Sequence, residues 1–160
     1  MIRAADRHRL AAAAWAGLIA GTIDIGAAAL INSVNLEIIL HNIAGGVLGR
    51  AALSGGWPTA LLGLLLQWAM SIVIAAIYIV TAGRLRALSR GWVACGLAYG
   101  IVIFLVMNYV VVPLSAWHRT PHFTTARLIG NVLAMLVFGL IVARFARGSS
   151  TLRWHRDPHR

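Results

Sequence analysis

Four long runs of apolar residues, separated by short polar or glycine-rich segments, dominate the chain. They cover about residues 10–31, 58–82, 92–114 and 125–146. An α-helix rises about 1.5 Å per residue, so roughly 20 apolar residues cross the ~30 Å hydrocarbon core of a bilayer. The pattern therefore predicts an all-α membrane protein, a bundle of four transmembrane helices formed by residues 1–147.

The segment between the first two runs, residues 34–54, is more polar and has a helical period of its own. Its apolar stripe consists of Leu36, Ile39, Leu40, Ile43 and Val47. Glu37, His41 and Arg50 are its charged or titratable members. We therefore expect a short amphipathic helix on the outer side, lying at the interface or packed on the bundle.

The basic residues predict how the bundle is oriented. All 14 are arginines, and 11 of them lie before the first run, between the second and third, or at and beyond the end of the fourth. The opposite side holds Arg50, Arg119 and Arg127. Cytoplasmic loops carry the excess of positive charge, so both termini are predicted to be cytoplasmic. Anionic lipid headgroups should attract these segments, including residues 148–160, which are predicted to be a disordered basic tail.

Composition narrows the functional classes. The chain is 60% hydrophobic and 11% charged, with a mean hydropathy of +0.81, whereas soluble domains are about 25% charged. Little of the chain remains for a soluble catalytic domain, and an enzyme is not favoured. The net charge of +10 is explained by arginines at helix ends, so nucleic acid is not expected as a partner. A homo-oligomer is compatible with the composition.

One polar residue lies at middle to outer depth in each predicted span. Asp24 is the only acidic residue within an apolar run, and the other spans contribute Gln67, Asn108 and Asn131. Ionisable residues inside a membrane usually face the bundle interior, and sites in bundles are built from facing helices. We expect these four side chains to form one intramembrane site for a proton, cation or small solute. In the alternative, an accessory or scaffold protein, they only bond helices together.

Pairs of glycines predict where helices approach closely. Gly17 and Gly21 share a helical face with Asp24, and Gly96 and Gly100 have the same spacing in the third span. Small residues at this spacing allow helix backbones to touch. We expect spans one and three to cross through these pairs, and homodimerisation is the alternative use.

Candidate residues on the outer face are Glu37, His41, His118, His122 and Arg127. Carboxylate and imidazole groups can hold a metal, but no recognised zinc motif is present, and we expect ordinary solvated side chains and no metal. No histidine lies within a predicted span, so a haem between these helices would have no ligand, and no cofactor is predicted. Arg127 is placed to extend inward from the end of span four.

Several short motifs resemble those of a known group of proteins. They are Ala-Gly-Thr-Ile-Asp ending at Asp24, Ile-Ala-Gly-Gly-Val-Leu-Gly-Arg ending at Arg50, Ala-Leu-Ser-Gly-Gly before span two, and Val-Met-Asn-Tyr-Val-Val-Val-Pro-Leu-Ser ending at Ser115. In this order they resemble small four-helix bacterial inner-membrane proteins loosely akin to the YagU-like family. The resemblance implies this architecture and a bacterial inner membrane, and it supplies no activity.

Overall fold

The computed structural model describes residues 4–85, 88, 90–118 and 123–154, which are helical apart from their connecting turns. Five helices form the framework: α1 (Ala4–Asn32), α2 (Leu36–Leu48), α3 (Gly56–Ala82), α4 (Trp92–Val106) and α5 (Thr125–Trp154). A 3₁₀ segment, Gly49–Ser54, links α2 to α3. A π-helical turn, Met107–Val111, and one α-helical turn, Val112–Leu114, extend α4.

The number of long apolar helices differs from the predicted four. Five segments are long and apolar enough to cross a membrane, and the additional one is Leu36–Ser54, with 19 residues. Apolar residues of this segment are not confined to the predicted stripe. Ile38, Leu48 and Leu53 lie outside it and are also exposed. This segment is not one straight helix, since α2 ends where Gly49 adopts φ +61°. A residue with a side chain rarely adopts that conformation.

The last helix is longer than its sequence predicted. We expected the fourth span to end near Ala146 and a disordered tail to begin at residue 148, but α5 continues to Trp154. Gly148 does not interrupt it, and the next proline is Pro158. Residues 155–160 of the predicted tail lie outside the described part of the chain.

The core is formed where α1, α3 and α5 meet. Alanines of α1 pack against larger side chains of its two neighbours. The buried members are Ala13, Ala16 and Ala20 of α1, Ala75, Tyr78, Ile79 and Ala82 of α3, and Phe138, Val142, Ala143 and Ala146 of α5. Small residues on α1 allow the other two helices to approach it closely. Such close van der Waals packing holds helices together where the surroundings are as apolar as the side chains themselves. The fourth long helix, α4, packs mainly on α5.

The glycine pairs have different partners from those predicted. A Cβ atom on Gly17 would lie 2.5 Å from the Cα atom of Ile72, and one on Gly21 would lie 2.6 Å from Ser71 Oγ, so this pair packs on α3. A Cβ atom on Gly100 would overlap the carbonyl of Met135 in α5. The predicted crossing of spans one and three is therefore wrong. Glycine spacing sets how closely helices approach but does not select the neighbour.

Two tertiary contacts hold α2 against the rest of the protein. Trp117 covers Gly45, and its Nε1 atom donates a hydrogen bond of 2.8 Å to the carbonyl of Asn42. Beside it, the backbone N–H of Ala116 donates to the carbonyl of Gly46 at 2.9 Å. The end of the α4 region is thereby fixed to the second half of α2.

Candidate functional site

The structure joins Asp24 of α1 to Gln67 of α3. The Nε2 atom of Gln67 donates a hydrogen bond of 2.9 Å to Asp24 Oδ2. Gln67 is only 8% exposed, whereas the Asp24 side chain is partly exposed. A buried polar group without a partner costs about 1–3 kcal/mol, so this bond satisfies two groups that would each be costly alone.

The buried face of α3 places further polar groups on either side of this pair. Buried residues recur every four positions along that face, as Thr59, Gly63, Gln67, Ser71 and Ala75. Four-residue spacing keeps side chains on one side of a helix. Ser71 lies one turn from Gln67 and contacts the helix surface at Gly21. Ser71 thus extends the polar face along the α1–α3 interface, whereas beyond Gln67 in the other direction Gly63 packs against Leu40 of α2.

A second side-chain bond crosses the same interface closer to its surface. Trp68 Nε1 donates to Thr22 Oγ1 at 3.1 Å, and the Thr22 hydroxyl donates to the carbonyl of Leu18 at 2.7 Å. The hydroxyl thus accepts one bond and donates another. The interface between α1 and α3 therefore carries two side-chain bonds next to a close glycine contact.

The other two predicted site residues do not join Asp24. Asn108 Nδ2 donates to the carbonyl of Phe104, and Asn131 Nδ2 donates to the carbonyl of Arg127, at 2.8 and 2.7 Å. Each amide is satisfied by the backbone four residues earlier in its own helical stretch, a bond that polar side chains in helices often form. The structure therefore brings two of the four predicted residues together.

Depth also separates these residues. Asn131 adjoins Gly130, which packs against Ile31, seven residues beyond Asp24 along α1. At about 1.5 Å per residue, Asn131 lies roughly 10 Å from the level of Asp24, toward the C-terminal end of α1. Asn108 lies eight residues beyond Gly100, which packs at the level of Met135. Their similar distances from the span ends did not predict a common depth, because the helices begin at different levels.

The outer-face candidates are also dispersed. His41 is buried, and its Nε2 atom lies 2.9 Å from the carbonyl oxygen of Gly56, to which it donates. Glu37, His118 and Arg127 are exposed, and His122 lies outside the described residues. Within the described residues, no three His, Cys, Asp or Glu side chains come close enough to hold a metal. The expectation that His41 is solvated was wrong, because α2 turns it toward the start of α3.

A pair of tyrosines that was not predicted from the sequence lies between α3 and α4. The rings of Tyr78 and Tyr99 lie 4.8 Å apart between centroids, and the Tyr99 hydroxyl donates to the carbonyl of Ile74 at 2.8 Å. Tyr78 is 3% exposed, and its hydroxyl has no partner among the described residues. The available signal was that Tyr78 continues the buried face of α3 that also carries Gln67 and Ser71. The pair anchors α4 to α3, a contact that the glycines do not make.

Comparisons with known proteins do not add to these observations. No protein-family model, curated protein or solved structure matches the chain.

Proposed function

We propose that four helices, α1, α3, α4 and α5, cross a membrane and that α2 lies on one surface. The support is the direction in which α1 and α3 pass each other. Gly17 faces Ile72, Gly21 faces Ser71, and Asp24 bonds to Gln67, so positions rise along α1 as they fall along α3. Two antiparallel crossings require residues 33–55 to begin and end on the same side. The 13-residue helix α2 is also only about 20 Å long.

The arginines supply the orientation in this proposal. Arg7, Arg9, Arg84, Arg144 and Arg147 lie at the end of the bundle opposite α2. That end is the cytoplasmic one if the positive-inside rule holds. The resemblance to small bacterial inner-membrane proteins supports that membrane as the location. Anionic headgroups of the inner leaflet are the proposed partners of the basic segments.

Reporter fusions test the topology directly. Fusions at the loop near Leu88 and after Trp154 should both report a cytoplasmic position, and a fusion at Ser54 should report the opposite side. The Ser54 fusion is the informative one, because a fifth crossing by Leu36–Ser54 would place it in the cytoplasm. That result would overturn the four-crossing proposal.

We propose transport of a proton or small cation as the function, with Asp24 as the binding group. The observation that carries it is the Asp24–Gln67 bond. Gln67 occupies Oδ2 and orients the carboxyl group, while Oδ1 is bonded to no other described residue. Ionisable residues inside membranes are rare and commonly mark ion or proton pathways. The Asp24 side chain is only partly exposed, so it is not fully enclosed by α1 and α3.

In this mechanism Gln67 acts as a positioning residue. Its amide donates a hydrogen bond to Oδ2 and so holds the carboxyl group in a fixed orientation. Ser71, one turn farther along α3, supplies the next hydroxyl group toward the cytoplasmic end in the proposed orientation.

A scaffold protein without transport is the second candidate, and one observation favours it. Asn108 and Asn131 bond within their own helical stretches and do not extend the site. The Asp24–Gln67 bond would then only hold α1 against α3, a role worth about 0.6 kcal/mol on average for interhelical bonds.

Flux measurements distinguish these candidates. Proton and cation flux would be compared in proteoliposomes containing wild type, Asp24→Asn or Glu37→Gln. Both substitutions convert a carboxylate into an amide, but Glu37 is exposed on α2. Transport at Asp24 predicts that only Asp24→Asn abolishes flux while the fold is retained. No flux from the wild type, with equal stability of the two variants, would support the scaffold.

A further inference from the structure

A groove of about 290 Å³ opens between the ends of α1 and α3 that are opposite α2. Its floor is apolar and includes Ala13, Ala76 and Ile79, and its rim carries Arg9 and Arg84. The floor residues lie farther inside the two candidate membrane spans, whereas Arg9 lies near the start of the first span and Arg84 lies just beyond the end of α3. The groove therefore has an apolar part at membrane depth and a cationic part at the level of headgroups.

Gly83 fixes the position of one of these cations. A Cβ atom on Gly83 would lie 2.8 Å from Nη2 of Arg9, so the guanidinium group rests directly against the α3 backbone at this glycine. Arg84 is the next residue along the chain. The missing side chain at position 83 thus allows Arg9 of α1 to lie against the residue that precedes Arg84, and both arginines line the groove.

The two guanidinium groups have no anion among the described residues. Neither side chain forms a hydrogen bond or ion pair within the described part of the chain. Asp6 is the only acidic residue in the sequence of the neighbouring segments, which also contain Arg7 and Arg90. Two cations held on one groove form a site that an anion would complete, and guanidinium groups bind phosphate through paired N–H donors.

We propose that this groove binds an anionic glycerophospholipid, with its phosphate between Arg9 and Arg84 and one acyl chain along the apolar floor. Basic pockets between transmembrane helices on the cytoplasmic side are suited to lipid phosphates. A free phosphate ion would leave the apolar floor uncovered, so a lipid matches both parts of the groove. The proposal rests on the proposed cytoplasmic position of this end, and it does not depend on transport at Asp24.

Native mass spectrometry of the whole protein in a neutral detergent tests the site. The probes are phosphatidylglycerol and phosphatidylcholine with identical acyl chains. The first phosphatidylglycerol molecule should bind at least about tenfold more tightly than phosphatidylcholine. Each arginine near an anionic lipid contributes about fivefold to binding. The double variant Arg9→Gln/Arg84→Gln should therefore weaken phosphatidylglycerol binding roughly 25-fold. The matched control Arg50→Gln/Arg127→Gln loses the same charge from exposed positions at the other end and should bind normally.

Two further variants test the geometry with the charge unchanged. Gly83→Leu should displace the Arg9 guanidinium group and weaken phosphatidylglycerol binding several-fold. Ala76→Leu fills the floor and should do the same. Circular dichroism and gel filtration establish that each variant is folded, and these two variants test the site even if the arginine double variant does not fold.

Three outcomes would overturn the proposal. Equal losses in both arginine double variants would mean that net charge alone attracts the lipid. Competition by inorganic phosphate at similar concentrations would identify a free-anion site. Unchanged binding by Gly83→Leu and Ala76→Leu would show that the groove is not occupied. Binding in detergent does not depend on orientation, so a negative result here would leave the proposed topology untouched.

Discussion

The α1–α3 and α4–α5 interfaces use the same spacing of glycines for different purposes. In α4–α5, glycines face one another, since a Cβ atom on Gly139 would overlap the carbonyl of Gly96. In α1–α3, Gly17 and Gly21 face Ile72 and Ser71, which have side chains. The first interface therefore brings two glycine backbones together, whereas in the second Gly17 meets the backbone of Ile72 and Gly21 meets the Ser71 side chain.

Polar bonding differs in the same way between these interfaces. The Asp24–Gln67 and Trp68–Thr22 bonds both cross from α1 to α3. In the other pair, Asn108 and Asn131 bond to carbonyls of their own helical stretches. The comparison indicates that α4–α5 is held by close packing, whereas α1–α3 accommodates specific polar chemistry. Four predictions test this distinction, beginning with the largest expected effect.

Gly100→Leu should be the most damaging of these changes. A leucine there would collide with the α5 backbone at Met135, which cannot rotate away. We expect a loss of about 3 kcal/mol in the free energy of unfolding, the upper part of the usual range for overpacking. Unfolding by SDS titration from a mild detergent measures it. Gly26→Leu is the control, because a Cβ atom on Gly26 has nothing within 4 Å. Equal losses would show that close packing is not what holds α4 to α5.

Alanine substitutions test how tolerant the α1–α3 interface is. The methyl group of Gly17→Ala would meet the backbone of Ile72, whereas that of Gly21→Ala would meet the Ser71 hydroxyl, which can rotate. We expect losses of about 2 and about 1 kcal/mol, respectively. The same SDS titration ranks them. A larger loss for Gly21→Ala would mean that the Ser71 side chain is fixed, and Ser71→Ala combined with it would identify that cause.

A double-mutant cycle measures the polar bond across α1–α3. Asp24→Leu, Gln67→Leu and the double variant should give a coupling of about 0.6 kcal/mol, with about 1.7 kcal/mol as an upper value for such bonds. Asp24→Asn should leave stability nearly unchanged, because an amide of the same shape still accepts from Gln67. A matched cycle with Trp68→Phe and Thr22→Val should give a smaller coupling, since that bond is exposed. Zero coupling would mean that the carboxyl group and amide do not stabilise one another.

The smallest effects are expected at the two asparagines. Asn108→Leu and Asn131→Leu each remove a bond to the helix's own backbone, and neither residue contacts the Asp24–Gln67 pair through a hydrogen bond. Changes in unfolding free energy should remain within about 0.5 kcal/mol, as for substitutions away from special features. A loss above about 1 kcal/mol at either position would show that the α4–α5 interface also depends on polar side chains.

The sequence predicted an all-helical protein with several long apolar helices, because apolar length is a property of each segment by itself, but it predicted four such helices where the described residues contain five. It also predicted that Asp24 would face a neighbouring helix, since exposure of that group to lipid is costly. Helix partners were not predicted, as Gly17 and Gly21 show, because small residues fit any close neighbour. The prediction that Asn108 and Asn131 join Asp24 in one site was wrong for another reason. An amide can be satisfied by its own helix, and sequence does not indicate which partner it takes.

The segment at residues 34–54 shows a further limit. Its apolar residues occur on more than one side, so periodicity alone does not separate a surface helix from a crossing. The direction of α1 against α3 carries the four-crossing proposal instead, and that direction depends on tertiary contacts such as Gly17 with Ile72. Pairing of helices thus constrains topology more strongly than the composition of this segment does.

The bond between Trp117 and Asn42 imposes an order on biosynthesis. Its two residues are 75 positions apart, so α2 emerges long before the side chain that covers it. At synthesis rates of about 5–20 residues per second, that delay is roughly 4–15 seconds. During this interval Gly45 lacks its covering indole ring, and α2 is more open to proteases and chaperones. The newly made chain thus passes through a vulnerable stage that ends when the residues following α4 arrive.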